Sequence, residues 1–456
     1  MTDFKAHSDS PLIDSVDQLV EQFHRAAKPR ERWRIGTEWE KPVVDRETGR
    51  AAPFSGPRGI EALLRGIAER TDWTPKEENG RVIALARAGA SVTLEPGGQL
   101  ELSGEQCRTV HCTQKEMALH AREITGVGRE LGLAFLGLGI QPLSRLDEIE
   151  WVPKQRYGIM GPYMTTVGTL GHRMMKQTCT VQVNIDYADE PDAMRKFRTA
   201  QGIAPLLNAM FANSPISDGA PNGFRSFRGH VWTDTDRARC GLLSWAFRDD
   251  ASLAHYVEWA LDVPCYFILR NGRYLTSVTG VPFRRFLADG AGGERATLDD
   301  WNLHLTTLFP EVRLKGYLEL RSTDSQPPDR VLALPALARG LFYEPDCLGA
   351  AWDLVKRWSY EDVVALYADV TRTALRARHR GIEVLELARE LFVIAEEGLR
   401  RLGERDARGN DERVYLQGLG ELLAAGRCPA DLLLEQWSGK WEQRPDRLIA
   451  GTTFDA

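Results

Sequence analysis

Glu95, Gln99 and Glu101 fall within one short stretch, Leu94-Glu95-Pro96-Gly97-Gly98-Gln99-Leu100-Glu101-Leu102-Ser103-Gly104. From Gln99 to Ser103, polar residues alternate with Leu100 and Leu102. Side chains of a strand alternate between faces, so Gln99 and Glu101 share one face and the leucines the other. The stretch reads as a strand broken briefly by Pro-Gly-Gly, whose glycines permit a tight turn or a close approach to a ligand. The device recurs. Ile35-Gly36-Thr37-Glu38-Trp39-Glu40 puts Glu38 and Glu40 on one face. Thr180 to Asp186 aligns Thr180, Gln182, Asn184 and Asp186, with Val181, Val183 and Ile185 behind. Tyr317 to Arg321 adds Glu319 and Arg321. A sheet of four such strands would pack one side on a core and line the other with like charges. Crowded carboxylates repel, and each is driven to take up a proton. A hard divalent cation relieves this, and oxygen-only ligands suit Mg²⁺, Ca²⁺ or Mn²⁺.

Arginines supply the opposite charge. Arg225 and Arg228 sit among glycines and aromatics in Pro221 to Trp232. Arg156 lies in Pro153 to Met160, which reads as a basic, aromatic and flexible segment. Guanidinium grips carboxylate or phosphate through two parallel hydrogen bonds. Four methionines between Met160 and Met175 could form core or an adaptable wall. Asp234 and Asp236 read as partners of nearby arginines or as a turn cap, and His230 as structural. Carboxylates with arginines suggest a magnesium–nucleotide site. The chain has no GxxxxGK[ST], no kinase motif set, no G-x-S-x-G elbow and no HExxH. Metal bridging of phosphates between protein carboxylates is the physical option left. Gly137-Leu138-Gly139 is similar to part of a dinucleotide fingerprint, but the third glycine is missing and Pro142 stands where a helix should begin.

The elements that must position these groups follow from periodicity. Apolar residues recur at threes and fours over 13–28, 57–70, 113–131 and 190–211, predicting helices. Residues 81–85 and 91–94 predict a hairpin feeding the Pro-Gly-Gly strand, and 134–140 a buried strand. Asn271-Gly272 is a hairpin turn signal. From Pro335 onward the pattern is helical almost without a break. The expected organisation is a catalytic part over 10–345 with a helical extension over 346–456 packed on it.

The chain of 456 residues has 58 basic and 64 acidic residues and a net charge of −6, and no basic stripe suggests a nucleic-acid partner. Met1 to Asp14 is polar and lacks an apolar signal core. The longest apolar run, Leu131 to Ile140, is too short to span a bilayer. A cytoplasmic location is expected. Seven cysteines, dispersed and odd in number, argue against a disulfide framework and a zinc knuckle.

Ile35 to Lys41, Leu94 to Gly104, Arg156 to Met160, Thr178 to Asn184, Phe211 to Pro215, Arg228 to Asp236, Asp262 to Pro264 and Tyr317 to Arg321, in that order, closely resemble glutamate–cysteine ligase of the plant and proteobacterial type. The resemblance runs from about Trp33 to about Tyr343. It implies an α+β, glutamine-synthetase-like fold: a curved antiparallel sheet with flanking helices, whose polar face carries Mg²⁺ and ATP. It implies phosphorylation of the side-chain carboxylate of L-glutamate, then attack by the amine of L-cysteine, giving γ-glutamylcysteine. By the same resemblance, Glu38, Glu40, Glu95, Glu101 and Glu319 would hold metals. Arg156 and Arg228 would bind glutamate's carboxylates and the transferred phosphate. Thr180, Tyr266 and Met160 would form the cysteine side, Gln182 and Asn184 would orient ligands, and Gln99, Glu319 and Arg321 would serve the nucleotide end. A monomer or homodimer acting on small molecules is expected, and another amine acceptor is the alternative. Trp39 stands where the family commonly has histidine and should face the core. The region near Gln114 has no cysteine at the place the family leads one to expect, and the Leu287 to Thr297 loop has none, so the plant thiol switch is not expected.

Overall fold

Residues 10–454 are described here from a computed structural model. Of the polar stretch Met1 to Asp14, residues 1–9 lie outside them. Eight strands form the main sheet: β1 (Ile35–Lys41), β2 (Thr74–Glu78), β3 (Arg81–Arg87), β4 (Ala90–Leu94), β5 (Leu100–Ser103), β6 (Val181–Ile185), β7 (Val312–Leu314) and β8 (Leu318–Leu320). Their spatial order is β7-β8-β6-β1-β5-β4-β3-β2, and every neighbouring pair is antiparallel.

The alternation seen in the sequence sets the two faces. Leu100, Leu102, Val181, Val183, Ile185 and Leu318 are all 0% exposed on the back of the sheet. Removing each from water stabilises the fold by about 2 kcal/mol. Helices Val110–Glu130 and Ala333–Tyr343 pack on that side, against β1 and, for the second, β6. Trp39 lies there too, its ring stacked 5.3 Å from Phe454 and its indole N–H donating to the Gln326 carbonyl at 3.0 Å. A one-residue slip in β1 would send Trp39 to the polar face and Glu38 and Glu40 into the core, so the register is strongly specified.

The Pro-Gly-Gly stretch is not an interrupted strand but a hairpin. β4 ends at Leu94, β5 starts at Leu100, and the two leucines are Cα partners. Glu95 therefore sits in the turn, with its N–H bonded to the Gln99 carbonyl at 2.9 Å. Gly98 takes φ +86°, and a Cβ on Gly97 would stand 2.2 Å from the Lys176 carbonyl, so each glycine is required for its own reason.

The segment around Arg156, read as flexible, is the start of the helix Gln155–Val167. Arg228 lies in the short helix Phe227–Trp232. Cys107 and Cys112 are joined in a disulfide, contrary to the expectation from dispersed cysteines. They flank Thr109, the N-cap of Val110–Glu130, and the first helical turn returns Cys112 to within 5.6 Å (Cα–Cα) of Cys107. The other five cysteines are free.

Candidate active site

Strand register builds the polar face row by row. Glu101 of β5 pairs with Glu40 of β1 on one side and Thr93 of β4 on the other. The next row runs Ser91, Ser103, Glu38, Gln182. A third runs Gly36, Asn184, Glu319, Arg313. Two cavities open on this face. The larger, about 490 Å³, is lined by Glu38, Glu101, Asn184, Asp186, Arg313 and Lys315 among others. The smaller, about 70 Å³, is lined by Glu40, Glu95, Arg156, Met160, Met174, Met175, Thr180, Trp232 and Arg228 among others.

The carboxylates perturb one another. Burial, then Glu319 and Glu101, raises the pKa of Glu38. Burial, then Glu95 and Glu101, pushes Glu40 well above the ordinary range. Burial and Glu101 push Glu95 up to about 7. Each oxygen of Glu101 instead accepts a hydroxyl, from Thr93 at 2.6 Å and Ser103 at 2.8 Å. Glu40 accepts the Thr180 N–H at 2.9 Å. Among the described residues, no three His, Cys, Asp or Glu side chains already close around one point as a cation cage. The chemistry of the donors nevertheless fits magnesium: oxygen-only, mutually repelling and open, with coordination left for phosphate oxygens, as Mg²⁺ sites usually are.

Glu319 departs from its expected role as a metal ligand. Its carboxylate accepts from Arg313 Nη2 and Nε, at 2.7 and 2.8 Å, and from Arg321. Lys315 stands 3.4 Å away. Burial would raise its pKa, but Arg313, Lys315 and Arg321 hold it well below the usual carboxylate range. Three cations already neutralise it, so it orders arginines here. Arg321 also donates to Gln182. Gln99 departs from a nucleotide role: its carbonyl takes the Gly97 N–H at 2.9 Å, and its amide donates to Met175 and Thr178 carbonyls. It clamps the 95–99 turn to the helix Gly171–Gln177. Tyr266 lies one layer back, its hydroxyl 3.7 Å from the Met164 sulfur and Arg239 3.9 Å above its ring. Asn184 lines the larger cavity and donates to Glu38 at 3.3 Å.

Arg228 is 3% exposed and donates to the Arg321 carbonyl at 3.0 Å. The C-terminal helices hold its segment from behind. The Thr371 carbonyl accepts both the Arg225 and Ser226 N–H groups, at 2.9 and 3.0 Å, and Asp431 accepts from Arg225 at 2.8 Å.

Sequence reasoning missed Arg313 and Lys315, although they alternate with Val312 and Leu314 in the same period of two that exposed the acidic residues. It also missed Lys154, which with the Tyr157 hydroxyl donates to the Leu94 carbonyl and fixes the end of β4. Burial lowers the Lys154 pKa to about 8.

Residues 34–449 match the description of glutamate–cysteine ligase family 2 (GCS2). The chain belongs to the glutamate–cysteine ligase family 2. The family match continues through the helical tail, well beyond the Tyr343 limit of the motifs. Among curated relatives, the glutamate–cysteine ligase, chloroplastic, of Medicago truncatula is 43% identical over 434 residues, 94% of this chain and 84% of that protein. Glutamate–cysteine ligase B, chloroplastic, of Oryza sativa subsp. japonica is 43% identical over 433 residues, 94% of this chain and 85% of its own. Among solved structures, the glutamate–cysteine ligase of Francisella tularensis in complex with AMP shares the fold, with a TM-score of 0.52 at 11% identity over 92% of this chain and 88% of that one. The α+β, glutamine-synthetase-like class is thus the class observed.

The cytoplasmic expectation is overturned by these family members, which are named chloroplastic. Organellar transit peptides are themselves polar and amphipathic, so a polar stretch does not imply a cytoplasmic location. No helix among the described residues is long and apolar enough to cross a membrane.

Proposed function

We propose that the protein is an ATP-dependent carboxylate–amine ligase that joins the γ-carboxylate of L-glutamate to the amine of L-cysteine, giving γ-glutamylcysteine, ADP and phosphate. The observation that carries this reading is the Glu38, Glu40, Glu95 and Glu101 face with Arg156 and Arg228 beside it, in a chain of this family. A carboxylate is a poor electrophile toward an amine. Transfer of the γ-phosphoryl group of ATP to glutamate's side chain creates an acyl phosphate, whose phosphate leaves when the cysteine amine attacks. Catalysis of such a transfer is chiefly positioning and charge stabilisation.

Arg156 and Arg228 serve as the carboxylate and phosphate grips in this scheme, and the Arg228 guanidinium is oriented by the Arg321 carbonyl. Glu38, Glu40, Glu95 and Glu101 would hold magnesium, which when bound neutralises phosphate oxygens and lets these carboxylates stay ionised together. Lys315 and Arg313 supply positive charge to the larger cavity, assigned to the nucleotide. Met160, Met174 and Met175 with Thr180 give the smaller cavity a soft, polarisable wall suited to a thiol. Tyr266 acts through Met164 rather than on the substrate. The catalytic part is taken as 10–345 and the helical extension as 346–456.

The experiment is phosphate release and product mass analysis with ATP, Mg²⁺, glutamate and a panel of amines. Cysteine should give γ-glutamylcysteine. Turnover with another amine and none with cysteine would retain the ligase chemistry and overturn the acceptor.

A further inference from the structure

We propose that Asp324 is a positioning residue that fixes Arg228, and that Gly139 is the seat that admits it. The proposal rests on the ligase reading, in which Arg228 grips glutamate or the transferred phosphoryl group.

Asp324 is 0% exposed; burial raises its pKa, and the charge of Arg228, which makes no direct ion pair with it, opposes that rise. Burying a carboxylate without a counter-ion is costly unless strong hydrogen bonds replace water. Asp324 has three. Its Oδ2 accepts the Asn213 N–H at 2.7 Å and the Ser214 hydroxyl at 2.6 Å, and its Oδ1 accepts the Ser226 hydroxyl at 2.8 Å. The serines face the other way with their lone pairs. Ser214 Oγ accepts the Arg228 N–H at 3.0 Å, and Ser226 Oγ accepts the Gly229 N–H at 3.0 Å and the Asn208 amide at 3.1 Å. With acceptor sites so used, each hydroxyl proton is directed at Asp324. A neutral amide at 324 could accept from only one side and would offer a donor to a hydroxyl already committed to donating.

The same residue reaches the other wall of the small cavity. Asp324 bridges Thr180 as an antiparallel partner, and Thr180 Oγ1 donates to the Thr323 carbonyl at 2.7 Å. Thr180 in turn donates its N–H to Glu40. The backbone of residue 324 therefore adjoins the Thr180–Glu40 wall while its carboxylate holds the Ser214 and Ser226 hydroxyls that brace the Arg228 segment.

Gly139 explains a motif that the nucleotide chemistry leaves unused. A Cβ there would lie 2.6 Å from the Asp324 Cβ and 2.7 Å from its carboxyl carbon. A Cβ on Gly137 would lie 2.4 Å from the Pro327 Cα. The Gly-Leu-Gly run makes room for 324–327 and does not cradle a phosphate.

The test is steady-state kinetics with ATP, glutamate and cysteine on the full chain: wild type, Asp324→Asn, Gly139→Ala, Ser214→Ala, Ser226→Ala, Arg228→Lys and the Asp324→Asn/Arg228→Lys double variant. Asp324→Asn should lower kcat/KM for glutamate at least about 30-fold and move the KM for ATP less than about threefold, with Gly139→Ala showing the same split. In the Arg228→Lys background, Asp324→Asn should cost less than about threefold, because the group it positions is already gone. Multiplicative losses, or equal losses toward ATP and glutamate, would overturn the proposal. If Asp324→Asn does not fold by circular dichroism, the serine variants decide, each expected to lose about three- to tenfold toward glutamate alone. Serine variants with wild-type kinetics would overturn it. A wild-type protein without ATP- and glutamate-dependent turnover would instead refute the ligase reading before any variant is compared.

Discussion

Glu40 and Glu101 are direct Cα partners across β1 and β5, yet their carboxylates line different cavities, Glu40 the small one and Glu101 the large one. In the proposed ligase scheme the pair is the seam between the two halves of the reaction. Closely paired like charges destabilise the fold unless a cation or a proton separates them. Glu40→Gln should therefore raise the unfolding temperature by about 2–4 °C in metal-free buffer. It should also lower kcat at least about 100-fold. Calorimetry and the ligase assay check the two together, and a variant that is less stable and still active would remove the seam from the mechanism.

Magnesium should stabilise the wild type in proportion to its binding. At a concentration about 100 times its dissociation constant the gain is about 2.7 kcal/mol. Thermal shift with and without Mg²⁺ should show this rise in wild type and little of it in Glu101→Gln, and chelation should abolish turnover. An equal shift in both proteins would move the cation elsewhere.

Met160 should discriminate acceptors. Met160→Ala opens the soft wall of the small cavity, and the KM for cysteine should rise about tenfold while that for glutamate holds. Kinetics with cysteine and with an amine of similar size lacking sulfur give the ratio. An unchanged ratio would locate the thiol away from this wall.

His304 makes stability fall in acid. Burial lowers its pKa to about 3, and its Nε2 lies 2.9 Å from the Ala260 carbonyl, so the folded state keeps it neutral. The unfolded chain protonates it below about 6.5. Between those values the unfolded state binds more protons, so stability drops as pH falls from 6.5 toward 3. The loss reaches about 3 kcal/mol at pH 4. Urea midpoints across pH 4–7 should show this slope in wild type and a shallower one in His304→Gln, which keeps a donor for Ala260 but does not titrate. Parallel slopes would assign the acid lability to other groups.

Glu412 ties the helical tail to the two helices that back the sheet, Val110–Glu130 and Ala333–Tyr343. Glu412, 0% exposed, accepts the Val110 N–H at 2.6 Å and Arg339 at 2.8 Å. Arg339→Met strands a buried carboxylate and should cost about 3–5 kcal/mol. Denaturant unfolding measures it, and the Arg339→Met/Glu412→Gln double variant should recover part of the loss.

The acidic face was legible because burial on one side of a strand forces a period of two, and that period survives in a linear string at Glu38/Glu40, Gln99/Glu101 and Glu319/Arg321. What the string could not carry was partnership. Strand parity alone does not distinguish Glu319, held by Arg313 and Arg321, from Glu95, whose pKa burial and Glu101 raise to about 7. Gln99 has the right parity for the site, and the chain folds back to consume its amide with carbonyls from Met175 and Thr178. Asp324 escaped notice because it follows the last strand in an irregular stretch, where no period marks a buried residue. The Cys107–Cys112 bond was hidden for a related reason: two cysteines five apart become neighbours only once a helix begins between them.

Thr371 and Asp431 grip the segment that carries Arg228 from the far end of the chain. During synthesis, that arginine's segment acquires its full set of contacts only after the ribosome has delivered residue 431. A growing chain with its entire sheet already made would still lack those restraints.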